Sequence, residues 1–149
     1  MGKLKLTQTQ VDFIRRHAEA AYPEECCGVI LGKLDGDMKT ASEIEAIENS
    51  FDGSKQNRFL ITPQTYLRLE KRGRAKGLEI LGFYHSHPDS AACPSEYDRE
   101  HAWPWFSYMI VSVRSGNAKD VRNWCLREDR SGFDPEEIEI QKVAAPRNA

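Results

Sequence analysis

The 149-residue chain has no long apolar run. Apolar stretches without a charged residue, such as Trp103–Val113 and Cys26–Gly32, are short. Both fall well short of the ~18 apolar residues that a membrane-spanning helix requires. The segment Met1-Gly2-Lys3-Leu4-Lys5-Leu6 holds no apolar core of a secretory signal, and position 6 is neither Ser nor Thr, as a myristoylation pattern requires. Cysteine is scarce and badly spaced for bridging. Cys26 and Cys27 are adjacent, Cys93 and Cys125 stand apart, and no Cys-x-x-Cys pair occurs. A disulfide framework and a Cys-rich zinc site are both disfavoured, which leaves reduced thiols. An excess of one charge is also missing: 21 Lys and Arg against 23 Asp and Glu give a net charge of −2. That balance argues against a nucleic-acid-binding arm or a polybasic membrane anchor. A hydrophobic fraction of 40% is ordinary for a globular chain and sufficient for one core. The expectation is a single cytoplasmic domain over residues 1–149, with neither nucleic acid nor membrane as partner.

The patterning predicts strands interleaved with helices. Thr7-Gln-Thr-Gln10 has the form of a capping box, and Val11, Ile14, Ala18 and Ala21 recur at helical spacing until Pro23. A first helix is therefore expected over residues 8–21. Cys27–Leu31 suits a buried strand, Asp35-Gly36 a hairpin turn, and Lys39–Glu48 a second strand. Asn49–Asn57 reads as a loop and Arg58–Ile61 as a strand. Thr62 and Pro63 are an N-cap and a first helical position, and that helix fades near Gly73–Gly77. Leu78–His85, Phe106–Val113 and Asp120–Arg127 are further strands, and Glu137–Val143 is an edge strand with Ile138 and Ile140 on one face. The predicted class is α/β, a mixed sheet flanked by helices.

The chemistry concentrates in residues 85–98, His-Ser-His-Pro-Asp-Ser-Ala-Ala-Cys-Pro-Ser-Glu-Tyr-Asp. His85 and His87 are two apart on a strand, so both imidazoles share a face. Pro88 breaks the strand, and Pro94–Asp98 looks like a helix entry with Ser95 and Asp98 on one side. Two histidines and a carboxylate make a catalytic zinc set, three protein ligands with a fourth position open. A ferrous facial triad uses the same ligand types. His-x-His alone is weak; the downstream Ser and Asp make the pattern specific.

His-Ser-His-Pro, six residues, Ser, two residues, Asp resembles the signature of the JAMM (MPN-plus) metallopeptidases. That family also requires an upstream glutamate. In its small bacterial members this residue stands two before a Cys-Gly pair, and here Glu25 precedes Cys27-Gly28 in that register. The resemblance spans roughly residues 8–128 and implies the layered JAMM/MPN architecture related to cytidine deaminases. It implies one zinc per chain, held by His85, His87 and Asp98. Glu25 is implied as general base and Ser95 as donor to the oxyanion. Other readings compete at single positions. Glu24 is the rival base, and the Ser95 hydroxyl equally suits an N-cap. His101 is read as a packing or supporting residue, His17 as exposed, and Cys93 as a loop residue that could touch zinc or substrate. Trp103-Pro104-Trp105-Phe106 is read as packing behind the site, with an exposed partner patch as the alternative.

The resemblance further implies hydrolysis of the amide bond after the C-terminal Gly-Gly of a ubiquitin-like protein, whose extended tail can add to a sheet edge. The short loops at Asn49–Asn57 and Asp89–Pro94 leave little room for the insertions that grip a second ubiquitin in larger relatives. The small members process ubiquitin-like (ThiS/MoaD-like) sulfur carriers, releasing cysteine or trimming a C-terminal extension. Alternatives are a deubiquitinase-like isopeptidase, a phage-tail-type JAMM peptidase, and a non-catalytic MPN scaffold, the last disfavoured by the complete ligand set. A nucleoside deaminase requires His-x-Glu and Pro-Cys-x-x-Cys; His-Ser-His and Pro-Ser-Glu-Tyr reject it.

Overall fold

A computed structural model describes residues 2–49 and 61–141. In chain order the elements are β1 (Lys3–Thr7), α1 (Gln8–Ala21), β2 (Cys27–Asp35), β3 (Met38–Ile47), α2 (Pro63–Ala75), β4 (Glu79–Pro88), α3 (Glu96–His101), β5 (Ser107–Arg114), β6 (Asn117–Leu126), β7 (Phe133–Pro135) and β8 (Glu137–Gln141). The strands form one eight-stranded mixed sheet in the order β7-β6-β5-β4-β2-β3-β1-β8. The α/β class expected from the sequence is the class observed. No helix among the described residues is long and apolar enough to cross a membrane.

The helix starts follow their caps. Thr7 and Gln10 form the reciprocal capping box of α1, and Thr62 with Pro63 opens α2. Val11, Ile14 and Ala18 bury one stripe of α1 against Leu4, Leu6, Ile30, Leu81, Met109 and Val111. Leu69 of α2 packs in a second layer with Val29, Leu31, Ile80, Phe83 and Tyr108. Neighbours Val29 and Ile30 thus feed opposite layers, as the period of two demands. On β4, His85 and His87 follow the parity of Phe83 and share a face with it.

Gly28 has a physical reason. It pairs with Tyr84 across β2 and β4, and a Cβ at position 28 would lie 2.0 Å from the Tyr84 ring. Only glycine leaves space for that fully buried ring immediately before His85. The Tyr84 hydroxyl lies 2.7 Å from His17 Nδ1, so His17 is half-buried against the core, contrary to the expected exposure.

β1 and β7 were not anticipated. The alternation Lys3-Leu4-Lys5-Leu6 carries the signal for β1, with both leucines fully buried; β7 has three residues, too few for any period to show. The expected loop 49–57 and strand 58–61 lie almost wholly outside the described residues, as do positions 142–143 of the last strand. β7 and β8 stand at opposite ends of the strand order, yet only Glu136 separates them in the chain. The sheet must therefore curl until its edges approach, and a buried ion pair sits at this closure. Lys39 Nζ lies 3.4 Å from Glu136 Oε2 and donates to Trp105 O at 2.6 Å and Ser107 Oγ at 2.9 Å. Glu136 also accepts from Asn123 Nδ2 at 2.8 Å and from the Ser107 hydroxyl.

Removing one partner of such a pair strands a buried charge, which costs about 3–5 kcal/mol. Glu136→Ala is therefore expected to lower the urea midpoint by that equivalent, and Lys39→Met added to it to restore most of the loss. Equal stability of Glu136→Ala and the parent in urea titration would remove the closure from the account.

Candidate metal centre

β4 is an interior strand, paired antiparallel to β2 and parallel to β5, with Cys27 and Ile110 flanking His85. This holds the strand end rigidly. His85 is 1% and His87 7% exposed. Asp98 arrives from α3. Ser95 is the N-cap of that helix: its Oγ accepts from Asp98 N at 3.1 Å, while Ser95 N donates to Asp98 Oδ2 at 2.9 Å. The reciprocal cap fixes the Asp98 rotamer and turns Oδ2 toward the histidines.

Three atoms converge. His85 Nε2 and His87 Nε2 are 3.2 Å apart, and Asp98 Oδ2 lies 3.2 Å from the first and 3.1 Å from the second. A tetrahedral zinc site with bonds of ~2.0–2.1 Å has ligand–ligand edges of about 3.3 Å, so this triangle fits one face of it. The tautomer fits as well. His87 Nδ1 lies 2.9 Å from the Ala91 carbonyl, which only accepts. Nδ1 therefore carries the proton and the Nε2 lone pair faces the centre, the usual support of a metal-bound histidine. The donor set of two imidazoles and one carboxylate suits zinc better than calcium or magnesium.

Glu25 stands just before β2, buried and 5% exposed, whereas Glu24 is exposed. A carboxylate oxygen of Glu25 and ring nitrogens of His85 and His87 all lie within 4.8 Å of one another. The histidine pair thus has two carboxylates, Asp98 in direct contact and Glu25 in the surrounding group. Ser86, which points away from the imidazoles, ties the two segments together. Its Oγ accepts from Cys26 N at 2.8 Å and its N–H donates to Cys26 O at 3.2 Å. Asn49 Nδ2 donates to Glu25 O at 3.1 Å.

Burial is the largest single influence on Glu25, Asp98 and His87, and it sets the net direction only for Glu25. It pushes the Glu25 carboxyl up to about 8; the charge of His87 opposes this and that of Asp98 adds to it. Burial would also raise Asp98, but the charge of His85 and hydrogen bonds from both imidazoles outweigh it and hold Asp98 well below the usual carboxylate range. For His87, burial works downward, and the hydrogen bond and charge of Asp98 reverse it into a net rise.

The remaining residues sort by distance. His101 stacks on Tyr97 with ring centroids 4.0 Å apart and contacts Tyr97 O through Nδ1. Cys93 is exposed in the loop before α3. Cys26 and Cys27 are buried free thiols, pushed by burial up to about 11 and about 12, so both stay protonated at neutral pH. The aromatic run splits. Phe106 packs on Tyr66 and Phe83, but Trp103 is 65% exposed, so it is not simply packing behind the site. Trp103 borders an apolar groove of about 690 Å³, which Tyr66, Leu67, Phe106, Tyr108 and Phe133 also line and where His85 and Asp98 appear. The groove was not anticipated. Its walls come from α2, the segment after α3, β5 and β7, and no local spacing connects them.

Comparison with known proteins agrees with this geometry. Residues 7–127 match the model for prokaryotic homologues of the JAB domain. The chain is 32% identical over 116 residues to a desampylase of Haloferax volcanii, covering 74% of this chain and 81% of that protein. It is 29% identical over 123 residues to tail tip assembly protein K of Escherichia phage N15, where the match covers 78% of this chain but 44% of the phage protein. The solution structure of a protein from Desulfitobacterium hafniense superposes with a TM-score of 0.81 at 32% identity, covering 94% of each chain. The chain belongs to the family of prokaryotic JAB-domain homologues, and it is a zinc hydrolase of the JAMM type.

Proposed function

We propose that the enzyme hydrolyses the amide bond after the C-terminal Gly-Gly of a ubiquitin-like sulfur-carrier protein (ThiS/MoaD-like), releasing cysteine or trimming a C-terminal extension. The observation that carries this reading is the convergence of His85, His87 and Asp98 beside buried Glu25, with His85 and Asp98 lining an apolar groove. In this reading His85 Nε2, His87 Nε2 and Asp98 Oδ2 hold zinc. Zinc held there would supply an activated water near neutral pH. Glu25 accepts a proton as general base and returns it to the leaving amine. Its burial-raised affinity for a proton suits a group that must both take and give one near neutral pH. Ser95 Oγ accepts a hydrogen bond from Asp98 N, which leaves its own proton to donate to the oxyanion. The N-cap and oxyanion roles are therefore compatible.

The groove supports a polypeptide substrate bound extended. β4 is paired on both sides, so a tail has no vacant edge there, and apolar side-chain contact along the groove takes the larger share of its binding. A diglycine is the natural segment to pass the crowded metal end, because glycine brings no Cβ to clash. The desampylase relative, named for removing a ubiquitin-like modifier, supports the partner class. Four free thiols are in keeping with a cytoplasmic place of action. The phage tail protein favours one second reading, a phage-tail-type peptidase acting within a larger assembly.

Three outcomes are expected. The purified enzyme carries about one zinc per chain, and Asp98→Ala loses most of it. Metal analysis decides this; full occupancy in the variant contradicts the ligand assignment. Glu25→Gln keeps its zinc but loses ~10²–10⁴-fold in turnover, while Glu24→Gln stays near the parent. An inactive Glu24→Gln beside an active Glu25→Gln would shift the base by one residue. Finally, mass spectrometry on carriers bearing C-terminal extensions shows cleavage directly after Gly-Gly. Replacing the last Gly by Ala is expected to lower kcat/KM far more than changing the residue after the scissile bond. Cleavage of linked ubiquitin with none of any carrier would instead favour the deubiquitinase-like alternative.

A further inference from the structure

Asp98 stands on an element with almost no support of its own. α3 has six residues; none is buried as a whole, and the Asp98 side chain is turned inward at 8% exposure. A helix so short is not stable in isolation, and no core stripe docks it to the sheet. Its N-terminal end is closed by the Ser95–Asp98 capping box. Its C-terminal end leaves carbonyls without intrahelical partners, and these are taken by one residue from a distant loop. Arg130, between β6 and β7, donates from Nη1 to Ala102 O at 2.9 Å and from Nη2 to Arg99 O at 3.1 Å and Glu100 O at 3.3 Å. Arg99 Nη1 returns a bond to Arg130 O at 3.1 Å. The guanidinium also places a positive charge at the negative end of the helix.

The loop is built to present this side chain. Arg130 has φ of +61°, a left-handed conformation that residues with a Cβ seldom adopt. It is held there by Arg130 N donating to Arg127 O at 2.8 Å and Arg127 N donating to Gly132 O at 2.9 Å. A non-glycine residue kept in that region by its surroundings is a reason to look for a task. Glycine would fit the turn with less strain, but it has no guanidinium.

We propose that Arg130 is a positioning residue for the metal centre: its guanidinium clamps three carbonyls at the end of α3 and so holds Asp98 Oδ2 at ligand distance from the two imidazoles. The inference rests on the reading of Asp98 as a zinc ligand. Arg130 touches neither metal nor substrate, and its effect travels through the helix it anchors. Supporting residues of this kind govern metal affinity by ~10–100-fold.

The test is the zinc dissociation constant of the full chain, measured by competition with a chromophoric chelator, alongside urea unfolding of each variant. Arg130→Gly removes the guanidinium while relieving the positive φ, so it separates the clamp from the loop conformation. It is expected to weaken zinc binding by ~10–100-fold. Arg130→Lys keeps the charge but loses the two-armed fork, and its affinity is expected between parent and glycine variant. Should Arg130→Gly fail to fold, Arg130→Lys decides: weaker zinc binding in the folded protein supports the clamp, and unchanged binding overturns it. A folded Arg130→Gly with lowered stability but parental zinc affinity also overturns it, since a purely structural anchor gives that result. Asp98→Ala in the same assay keeps the two claims apart. If Asp98→Ala loses zinc and Arg130→Gly does not, the clamp fails and the ligand assignment stands. If Asp98→Ala binds zinc like the parent, the ligand assignment itself is wrong.

Discussion

A carboxylate oxygen held between two imidazole nitrogens, all three shielded from water, is the constraint around which the rest is arranged. Asp98 Oδ2 lies 3.1–3.2 Å from both Nε2 atoms. Taking such groups out of water costs several kcal/mol per charge unless partners surround them. The partners come from three different segments. Histidines arrive on the end of a buried strand, the aspartate on a short exposed helix, and the second carboxylate on the turn before β2. The two histidines need only the alternation of one strand. The carboxylates require long-range closure, and the structure invests in fixing them.

The fixing is largely backbone-directed. Ser86 lies between the histidines in sequence but faces the other way, and its bonds to Cys26 N and O hold the Glu25 segment beside β4. Asn49 secures the Glu25 carbonyl from another side. Gly28 admits the Tyr84 ring one residue before His85, and the Tyr84 hydroxyl finds His17 on α1. Three of the five residues in the Cys27-Gly28 and His85-Ser86-His87 pieces thus have their rationale in packing and hydrogen bonding: Gly28 as space for a ring, Ser86 as a tie, and Cys27 as a buried thiol in the α2 layer. Only the two imidazoles face Asp98 Oδ2. The curled sheet brings β6 and β7 round toward α3, so that the loop between them reaches the helix bearing Asp98.

Local chemistry was readable and distant chemistry was not. The capping box at Thr7, the N-cap at Ser95, the proline start of α2 and the shared face of His85 and His87 are written in spacings of two or three residues, and all appear in the structure. Asp98 was legible through its three-residue offset from Ser95. Glu25 came only through resemblance to a family register, because the sixty positions separating it from His85 carry no periodic signal. β1 was overlooked although Leu4 and Leu6 alternate with lysines, and β7 is too short to have a period. The groove and the Arg130 bonds depend on the curl of the whole sheet. Arg130 in particular looks like any surface arginine until its loop is seen against α3, since neither its φ nor its carbonyl partners can be read from its neighbours.

The central claim is that His85, His87 and Asp98 form the protein part of one zinc site. Zinc K-edge X-ray absorption fine structure on the purified enzyme tests it most directly. The account predicts a first shell of nitrogen and oxygen only, at ~2.0–2.1 Å, with outer scattering from two imidazoles. A sulfur scatterer at ~2.3 Å, or the outer scattering of a single imidazole, would contradict it.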